Sequence, residues 1–173
     1  MKRTTVKTDP CTYVIFGATG NLSRIKLMPA LYHLDIENRL DKDTKIIAIG
    51  RRPWGNDKWI SEVRVMLEEK ARGGVDEKVF KRFVGRLQYH KGDLQQAECY
   101  SSLATLLSDA HQFPQNIAFY LAINPEDFSS VIERLSVPNL LEEKQFWRRV
   151  VIEKPFGTDL ESSRSLQNKI SKY

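Results

Sequence analysis

Five short apolar runs alternate with longer helical patterns along this chain, and this alternation constrains the fold more than any other feature. The runs are rich in Val, Ile, Tyr and Phe and lie at residues 12–16, 45–50, 86–91, 117–123 and 149–154. Most of them are apolar on both faces, as strands of a sheet that is covered on both sides must be. Alternation of this kind predicts parallel strands joined by right-handed crossovers.

Apolar residues recur at helical spacing between the predicted strands. The predicted helices cover residues 22–37, 57–71, 76–84, 98–110 and 125–135, and another helical pattern begins at residue 159. Strands and helices in this order predict an α/β fold with a doubly wound, mostly parallel sheet in a single domain.

The composition is that of a globular domain. The 173 residues include 41% hydrophobic and 28% charged residues, and no stretch approaches the roughly 18 apolar residues that a membrane span needs. The N-terminal sequence MKRTTVKTDP has basic residues without an apolar segment after them, so we expect no signal peptide and a cytoplasmic protein. Cys11 and Cys99 lie far apart in unlike contexts, and we interpret them as packing residues rather than as a disulfide or nucleophiles.

The net charge of +5 and the pI of about 9.2 permit an anionic partner. The basic residues are nevertheless mixed with acidic ones, as in EEKARGGVDEK, and no dense Lys/Arg run is present. We therefore expect neither a nucleic-acid partner nor a membrane partner, and no metal site.

Two glycines, Gly17 and Gly20, lie directly between the first predicted strand and the first predicted helix, in YVIFGATGNLSRIKLMP. In a dinucleotide-binding turn, the first glycine permits the tight bend and the second lets the pyrophosphate approach the backbone, at a helix N-terminus with free N–H groups. The spacing is G-x-x-G rather than G-x-G-x-x-G, with Ser23 at the place of the third small residue. Asn21 is predicted to cap the helix. The alternative is an ordinary loop that uses glycine for its positive φ.

The second predicted strand, KIIAIG, is followed by Arg51 and Arg52 and has no acidic residue at its end. A carboxylate at this position would hold the ribose 2′-hydroxyl of NAD, whereas a guanidinium matches the 2′-phosphate of NADP. The chain is thus predicted to be a Rossmann-type domain that binds NADP, with residues 1–11 as a tail and residues 12–173 as the dinucleotide-binding domain. The alternative is that both arginines are merely solvated.

The last predicted strand runs into Lys154 and Pro155 in VVIEKPFG. Ligands bind at the carboxyl ends of strands in open α/β sheets, so Lys154 is a candidate cation for a phosphate or for the nicotinamide side. A salt bridge at the strand end is the alternative. The segment YLAINP also ends a strand, and its tip is predicted to lie beside the cofactor.

These segments together resemble the N-terminal part of the glucose-6-phosphate dehydrogenase family. FGATGNLSRIKLMPALYHL, IIAIGRRPW, NIAFYLAINPEDF and VVIEKPFGTDLESSRSLQNKI resemble family segments in order and at suitable spacing over nearly the whole chain. The resemblance implies an NADP-dependent oxidation of glucose 6-phosphate to 6-phosphogluconolactone in the pentose phosphate pathway.

The resemblance also implies roles for individual residues. Lys154 would contact both cofactor and sugar phosphate, and Lys26 lies at the position of the family's first-helix lysine. Asn21 stands where the family usually has Asp. Because Asn caps a helix about as well as Asp does, we expect at most a modest loss of capping. The residues that the resemblance assigns to the cofactor are Gly17, Ala18, Thr19, Gly20, Asn21, Leu22, Arg51, Arg52, Asp93 and Lys154.

The family's catalytic histidine lies in a segment R-I-D-H-Y-L-G-K that these 173 residues do not contain. His33, His90 and His111 have no Asp placed to form a dyad, and we interpret them as packing or surface residues. The resemblance therefore implies a chain without its own catalytic residue or substrate domain, inactive alone and able to associate through the face that the missing domain would cover.

Two other functions stay open from the sequence. The first is the Rossmann domain of another sugar oxidoreductase, of the glucose–fructose oxidoreductase type. That group usually has a fuller glycine fingerprint and lacks the G-N-L-x-x-x-K-L-x-P helix. The second is a non-catalytic module that binds a nucleotide or a protein partner.

Overall fold

Strands and helices alternate through the described part of the chain, which comprises residues 9–153, 164 and 168 of a computed structural model. The strands are β1 (Thr12–Phe16), β2 (Lys45–Gly50), β3 (Leu87–Lys91), β4 (Ile117–Leu121) and β5 (Arg148–Ile152). The helices are α1 (Met28–Ile36), α2 (Asn56–Lys70), α3 (Glu77–Val84), α4 (Ala97–Leu107) and α5 (Phe128–Ser136). A π-helical segment, Ser23–Leu27, precedes α1, and a 3₁₀ turn, Pro125–Asp127, precedes α5.

All strand pairs are parallel, and the order across the sheet is β3-β2-β1-β4-β5. The chain moves outward from β1 through β2 to β3, and then returns to the other side of β1 to form β4. The loops that follow β1 and β4 consequently diverge at the carboxyl edge of the sheet, which is the switch point where such sheets bind ligands. The predicted doubly wound α/β fold is confirmed.

The predicted strand bounds agree closely with the structure. The first two strands match it, and β4 ends two residues earlier than predicted because the chain turns toward the Asn124–Pro125 loop after Leu121. Each predicted helix also agrees to within about a turn. The helical pattern predicted from residue 159 lies outside the described residues.

Each face of the sheet has its own apolar core. Helices α1, α2 and α3 cover one face, where Tyr32, Trp59 and Phe83 are fully buried. Helices α4 and α5 cover the other face with side chains such as Leu103 and Phe128. The central strands are therefore buried on both faces, as their apolar sequences predict.

The first helical run begins at Asn21 and differs in two ways from the prediction. The carbonyl of Gly20 accepts the N–H of Arg24 at 3.0 Å, so Asn21 lies inside the first turn and the prediction that it caps the helix is wrong. One turn later, Met28 N–H donates to the carbonyl of Ser23, which is the five-residue spacing of a π-helix. Such a turn holds one residue more than the flanking α-helix.

The amino edge of the sheet is closed by a buried ion network. Asp35 is 1% exposed and accepts from Arg82 Nε at 2.9 Å and from Arg86 Nε at 3.0 Å. Arg86, which is 7% exposed, also donates to the carbonyls of Asp41, Lys42 and Thr44 in the loop before β2. The network ties the end of α1 to the starts of β2 and β3. None of the helices in the described part of the chain is long and apolar enough to cross a membrane.

Candidate functional site

A cleft of about 370 Å³ opens at the carboxyl edge of the sheet, over the ends of β1, β2, β3 and β4. Its volume falls in the range of small-molecule and cofactor sites, roughly 300–1,000 Å³. Its lining residues are Gly17, Thr19, Gly20, Ile49, Gly50, Arg51, Gly92, Asp93, Leu94, Gln95, Ala122, Ile123, Asn124 and Asp127. Residues from all four of these strand ends thus meet at the switch point.

The turn after β1 requires glycine at its first position. Gly17 has a φ of +75°, and a Cβ built there would lie 2.3 Å from the carbonyl oxygen of Ala122. The turn is closed by Ala18 N–H, which donates to Ile49 O at 3.0 Å, and by Gly20 N–H, which donates to Gly17 O at 2.9 Å. The floor of the cleft is therefore formed by backbone atoms, and a side chain at Gly17 would collide with them and occupy the cleft.

The helix that follows this turn begins next to Gly20, at the edge of the cleft, although Asn21 and Leu22 of the predicted set do not line it. Asn21, Leu22 and Ser23 occupy the first turn, where N–H groups have no acceptor within the helix. The helix N-terminus also carries a partial positive charge. Gly17, Thr19 and Gly20 of the predicted set line the cleft, whereas Ala18 is fully buried and shapes the turn. This arrangement suits an anionic phosphate group.

The two arginines after β2 occupy different environments. Arg51 is exposed and lines the cleft, and its side chain makes no hydrogen bond or ion pair with the described residues. The guanidinium of Arg52 lies 5.0 Å from the centre of the Trp54 ring, in a cation–π contact. Arg51 therefore presents an unpaired cation at the cleft, and Arg52 packs beside it.

The loops after β3 and β4 face each other across the cleft. Asp93 lines the cleft, and its Oδ1 accepts the N–H of Gln95 at 3.0 Å. Gln95 Nε2 in turn donates to Asp127 Oδ1 at 3.4 Å, which joins the two loops. The YLAINP tip reaches the cleft through Ala122 and Asn124, as predicted. Gln95 and Asp127 were not predicted from the sequence, although their positions in loops that follow parallel strands could have indicated them.

A tyrosine on β4 and a glutamate just after β5 form a hydrogen-bonded pair at the carboxyl edge of the sheet. The hydroxyl of Tyr120 on β4 donates to Glu153 Oε1 just beyond β5. Burial raises the pKa of Tyr120 above its usual range, and the hydrogen bond and charge of Glu153 raise it further, so this hydroxyl remains protonated. Lys154 and Pro155, predicted to lie next in this segment, are outside the described residues.

Two of the histidines form hydrogen bonds with neighbouring elements, and both cysteines are buried. His33 Nε2 accepts the N–H of Arg72 at 3.0 Å, and His90 Nε2 lies 3.0 Å from Ser102 Oγ. Burial raises the pKa of the Cys99 thiol to about 11, which keeps it uncharged. Cys11 is buried too, and burial raises the pKa of its thiol. Over residues 9–153, 164 and 168, no three His, Cys, Asp or Glu side chains are grouped so that they could hold a metal ion.

Comparison with known proteins agrees with this geometry. A family model described as "Glucose-6-phosphate dehydrogenase, NAD binding domain" matches residues 14–173. A glucose-6-phosphate 1-dehydrogenase of Chlamydia pneumoniae is 38% identical over 169 residues, covering 94% of this chain and 33% of the relative. The enzyme of the same name from Bacillus subtilis is 34% identical over 160 residues, covering 91% of this chain and 32% of the relative.

Solved structures show the same relationship. Glucose-6-phosphate 1-dehydrogenase from Mycobacterium avium superposes with a TM-score of 0.83 at 32% identity, covering 95% of this chain and 34% of that protein. A glucose-6-phosphate dehydrogenase solved with its substrate glucose-6-phosphate gives 0.83 at 33% identity, covering 96% and 35%. The chain thus spans about one third of the length of these relatives, the third that binds a nicotinamide dinucleotide. This chain belongs to the glucose-6-phosphate dehydrogenase family and carries its NAD-binding domain.

Proposed function

We propose that this chain is the NADP-binding part of an enzyme that oxidises glucose 6-phosphate to 6-phosphogluconolactone. The observation that carries the proposal is Arg51, an exposed cation that lines the cleft directly after β2 and has no ion-pair or hydrogen-bond partner among the described residues. In dinucleotide folds, this position contacts the ribose that distinguishes NADP from NAD. No acidic residue stands there to repel a 2′-phosphate.

The residues of the cleft divide the cofactor between them. The turn from Gly17 to Leu22 would hold the pyrophosphate through backbone N–H groups and the helix dipole. Arg51 would pair with the 2′-phosphate, with Arg52 beside it. Asp93 would lie on the adenosine side. The absence of a Cβ at Gly17 fits this assignment, because a side chain there would collide with Ala122 and fill the floor of the cleft.

The chemistry of the reaction is divided between cofactor and protein. NADP supplies the hydride acceptor, while the protein orients it and excludes competing reactions. We propose that Lys154 lies between the nicotinamide and the sugar phosphate. Removal of the C1 hydroxyl proton needs a general base, which we assign to the two thirds of the relatives' length that this chain does not span.

Substrate and partner class follow from the relatives' names alone. The relatives are glucose-6-phosphate 1-dehydrogenases, and one related structure contains glucose-6-phosphate. We propose the same substrate here. The glycine turn without a third glycine and the first-helix sequence favour this family over the glucose–fructose oxidoreductase type.

The proposal is tested by titrating the purified protein with NADP and with NAD in a calorimeter, before and after Arg51→Ala. We expect NADP to bind more tightly than NAD. Loss of a charged hydrogen bond to phosphate should reduce NADP affinity roughly tenfold to a hundredfold and leave NAD affinity nearly unchanged.

Arg72→Ala is the matched control. Arg72 is an exposed arginine on the loop after α2, at the opposite edge of the sheet, and its substitution removes the same charge. It should reduce NADP affinity little, and only through the net charge. Equal affinities of the unmodified protein for NADP and NAD, or equal losses in both variants, would refute the assignment of Arg51.

A further inference from the structure

The backbone on both sides of Arg51 is held by hydrogen bonds, one from the loop after β3 and one from within its own loop. The carbonyl of Gly50, just before it, accepts the N–H of Gly92 at 3.0 Å. The carbonyl of Arg52, just after it, accepts the N–H of Trp54 at 2.8 Å. The carbonyls on either side of Arg51 are thus paired, while its side chain makes no hydrogen bond or ion pair with the described residues.

A second donor reaches the Arg52 carbonyl from outside the loop. The hydroxyl of Tyr89, on β3, donates to Arg52 O at 3.0 Å. Tyr89 is only 8% exposed, and its ring packs at 5.9 Å from that of Trp54 and at 5.7 Å from that of Trp59. Burial raises the pKa of Tyr89, so its hydroxyl stays protonated and remains a donor at neutral pH. The bond thus connects the loop to a rigid aromatic cluster.

The same hydroxyl also lies close to the residue before Arg51. A Cβ built on Gly50 would lie only 2.8 Å from Tyr89 Oη. Tyr89 therefore contacts the loop on both sides of Arg51, and its hydroxyl donates to the backbone of that loop. Hydrogen bonding and packing at this hydroxyl act together with the two backbone bonds to hold the Cα of Arg51 beside the cleft.

We propose that Tyr89 is a positioning residue for cofactor discrimination, which holds the loop so that Arg51 faces the 2′-phosphate. The inference rests on the proposed function, because it presupposes that Arg51 recognises that phosphate. Tyr89 acts through the backbone of the loop after β2, so its effect is confined to the end of the cofactor that carries the 2′-phosphate. Binding of the pyrophosphate, which depends on the turn after β1, does not depend on it.

The test is Tyr89→Phe, which removes the hydroxyl and keeps the ring in its cluster. Arg52 O retains the N–H of Trp54, so no carbonyl is left without a donor. Calorimetric titration should show the NADP-over-NAD preference falling about threefold to tenfold, the range for one neutral hydrogen bond, with NAD affinity unchanged.

Tyr32→Phe is the matched control. Tyr32 is fully buried, and its hydroxyl accepts the N–H of Asp76 at 3.0 Å and donates to Asp76 O at 3.3 Å, in a loop away from the cleft. Like Tyr89→Phe, Tyr32→Phe removes a tyrosine hydroxyl that is hydrogen-bonded to the backbone of a loop. The cofactor preference of Tyr32→Phe should equal that of the unmodified protein, even if its melting temperature falls.

A double variant separates positioning from direct contact. If Tyr89 acts through Arg51, then Tyr89→Phe should change the preference in the unmodified background but not in the Arg51→Ala background. This non-additivity is independent of any shared loss of stability, which is recorded for each variant by thermal unfolding.

The outcomes are distinct. An unchanged preference in Tyr89→Phe, an equal fall for NADP and NAD, or an additive double variant each overturns the inference while the role of Arg51 stands. Equal affinities of the unmodified protein for the two cofactors would instead overturn the proposed function, and the inference with it.

Discussion

The two edges of the sheet use charged residues in opposite ways. At the amino edge, Asp35 and Arg86 are buried and the Arg86 guanidinium is fully engaged by a carboxylate and three carbonyls. At the carboxyl edge, Arg51 is exposed and has no partner among the described residues. The charges at the amino edge hold loops together, whereas at the carboxyl edge the Arg51 cation is left available.

This difference follows from what each edge has to do. A buried ion pair is tolerated only when each charge is hydrogen-bonded, because desolvation is costly. A ligand site needs the reverse, a charge that is preorganised but unpaired until the ligand arrives. Substitutions at the amino edge should therefore alter stability, and substitutions at the carboxyl edge should alter binding.

Asp35→Ala should have the largest effect on stability. It leaves Arg86 buried without its counter-charge, which typically costs about 3–5 kcal/mol, and the three carbonyls around Arg86 favour the lower figure. Urea unfolding measures the loss, and dinucleotide affinity of the folded protein should not change.

Glu37→Ala is the control for this prediction. Glu37 pairs with Arg39 at 3.5 Å, and both side chains are more than half exposed, so its loss should cost under about 1 kcal/mol. Equal effects of the two substitutions would show that burial does not distinguish the amino edge.

Gly17→Ala should combine a moderate loss of stability with a loss of binding. A positive φ costs a non-glycine residue about 1–2 kcal/mol, and the collision with Ala122 O should add about 1–3 kcal/mol. We expect unfolding free energy to fall by about 2–5 kcal/mol and cofactor binding to be lost from calorimetric titrations.

Gly73→Ala separates the two causes. Gly73 has a φ of +83°, but a Cβ there would meet nothing within 4 Å. It should therefore show the strain without the collision and retain binding. A loss of stability in Gly73→Ala as large as that in Gly17→Ala would contradict the role given to Ala122.

Ser23→Ala should have the smallest effect on the free energy of unfolding, and it tests whether an unpaired polar group at the carboxyl edge reduces stability. Ser23 is fully buried at the carboxyl edge, and its hydroxyl has no partner among the described residues. Removing an unpaired buried hydroxyl should be neutral or stabilising by up to about 1 kcal/mol, as measured by urea unfolding.

Ser130→Ala is its counterpart, because the Ser130 hydroxyl donates to Asp127 O at 3.1 Å. That substitution should be destabilising by about 0.5–1 kcal/mol. If Ser23→Ala destabilises the protein more than Ser130→Ala does, the Ser23 hydroxyl must have a partner after all.

The sequence predicts the sheet and the turn well because both depend on local patterns. Apolar runs identify β1 and β2 to the residue, and the glycine spacing identifies the turn at Gly17. The end of the second predicted strand indicates Arg51, and the family resemblance adds Asp93; both line the cleft. The residues predicted at Lys154 and beyond lie outside the described residues, so those assignments stay predictions.

What the sequence did not predict depends on contacts between distant residues. Asp35 and Arg86 are 51 positions apart, and only the fold brings them together. The same holds for Tyr89 and Arg52, which are 37 positions apart. The error at Asn21 has a different cause: Gly20, which also belongs to a residue type favoured at helix N-caps, takes that position, and residue preference alone does not decide between these two neighbours.

The π-helical segment Ser23–Leu27 has a consequence for comparing relatives of different length. Because a π turn absorbs one extra residue, the helix on either side keeps its rotational phase, and Met28 and Tyr32 still face the sheet. A relative that lacks one residue here can run as a continuous α-helix and present the same side chains to both neighbours. Gaps of a single residue in pairwise alignments should therefore be placed within this segment before they are placed in the glycine turn or in α1.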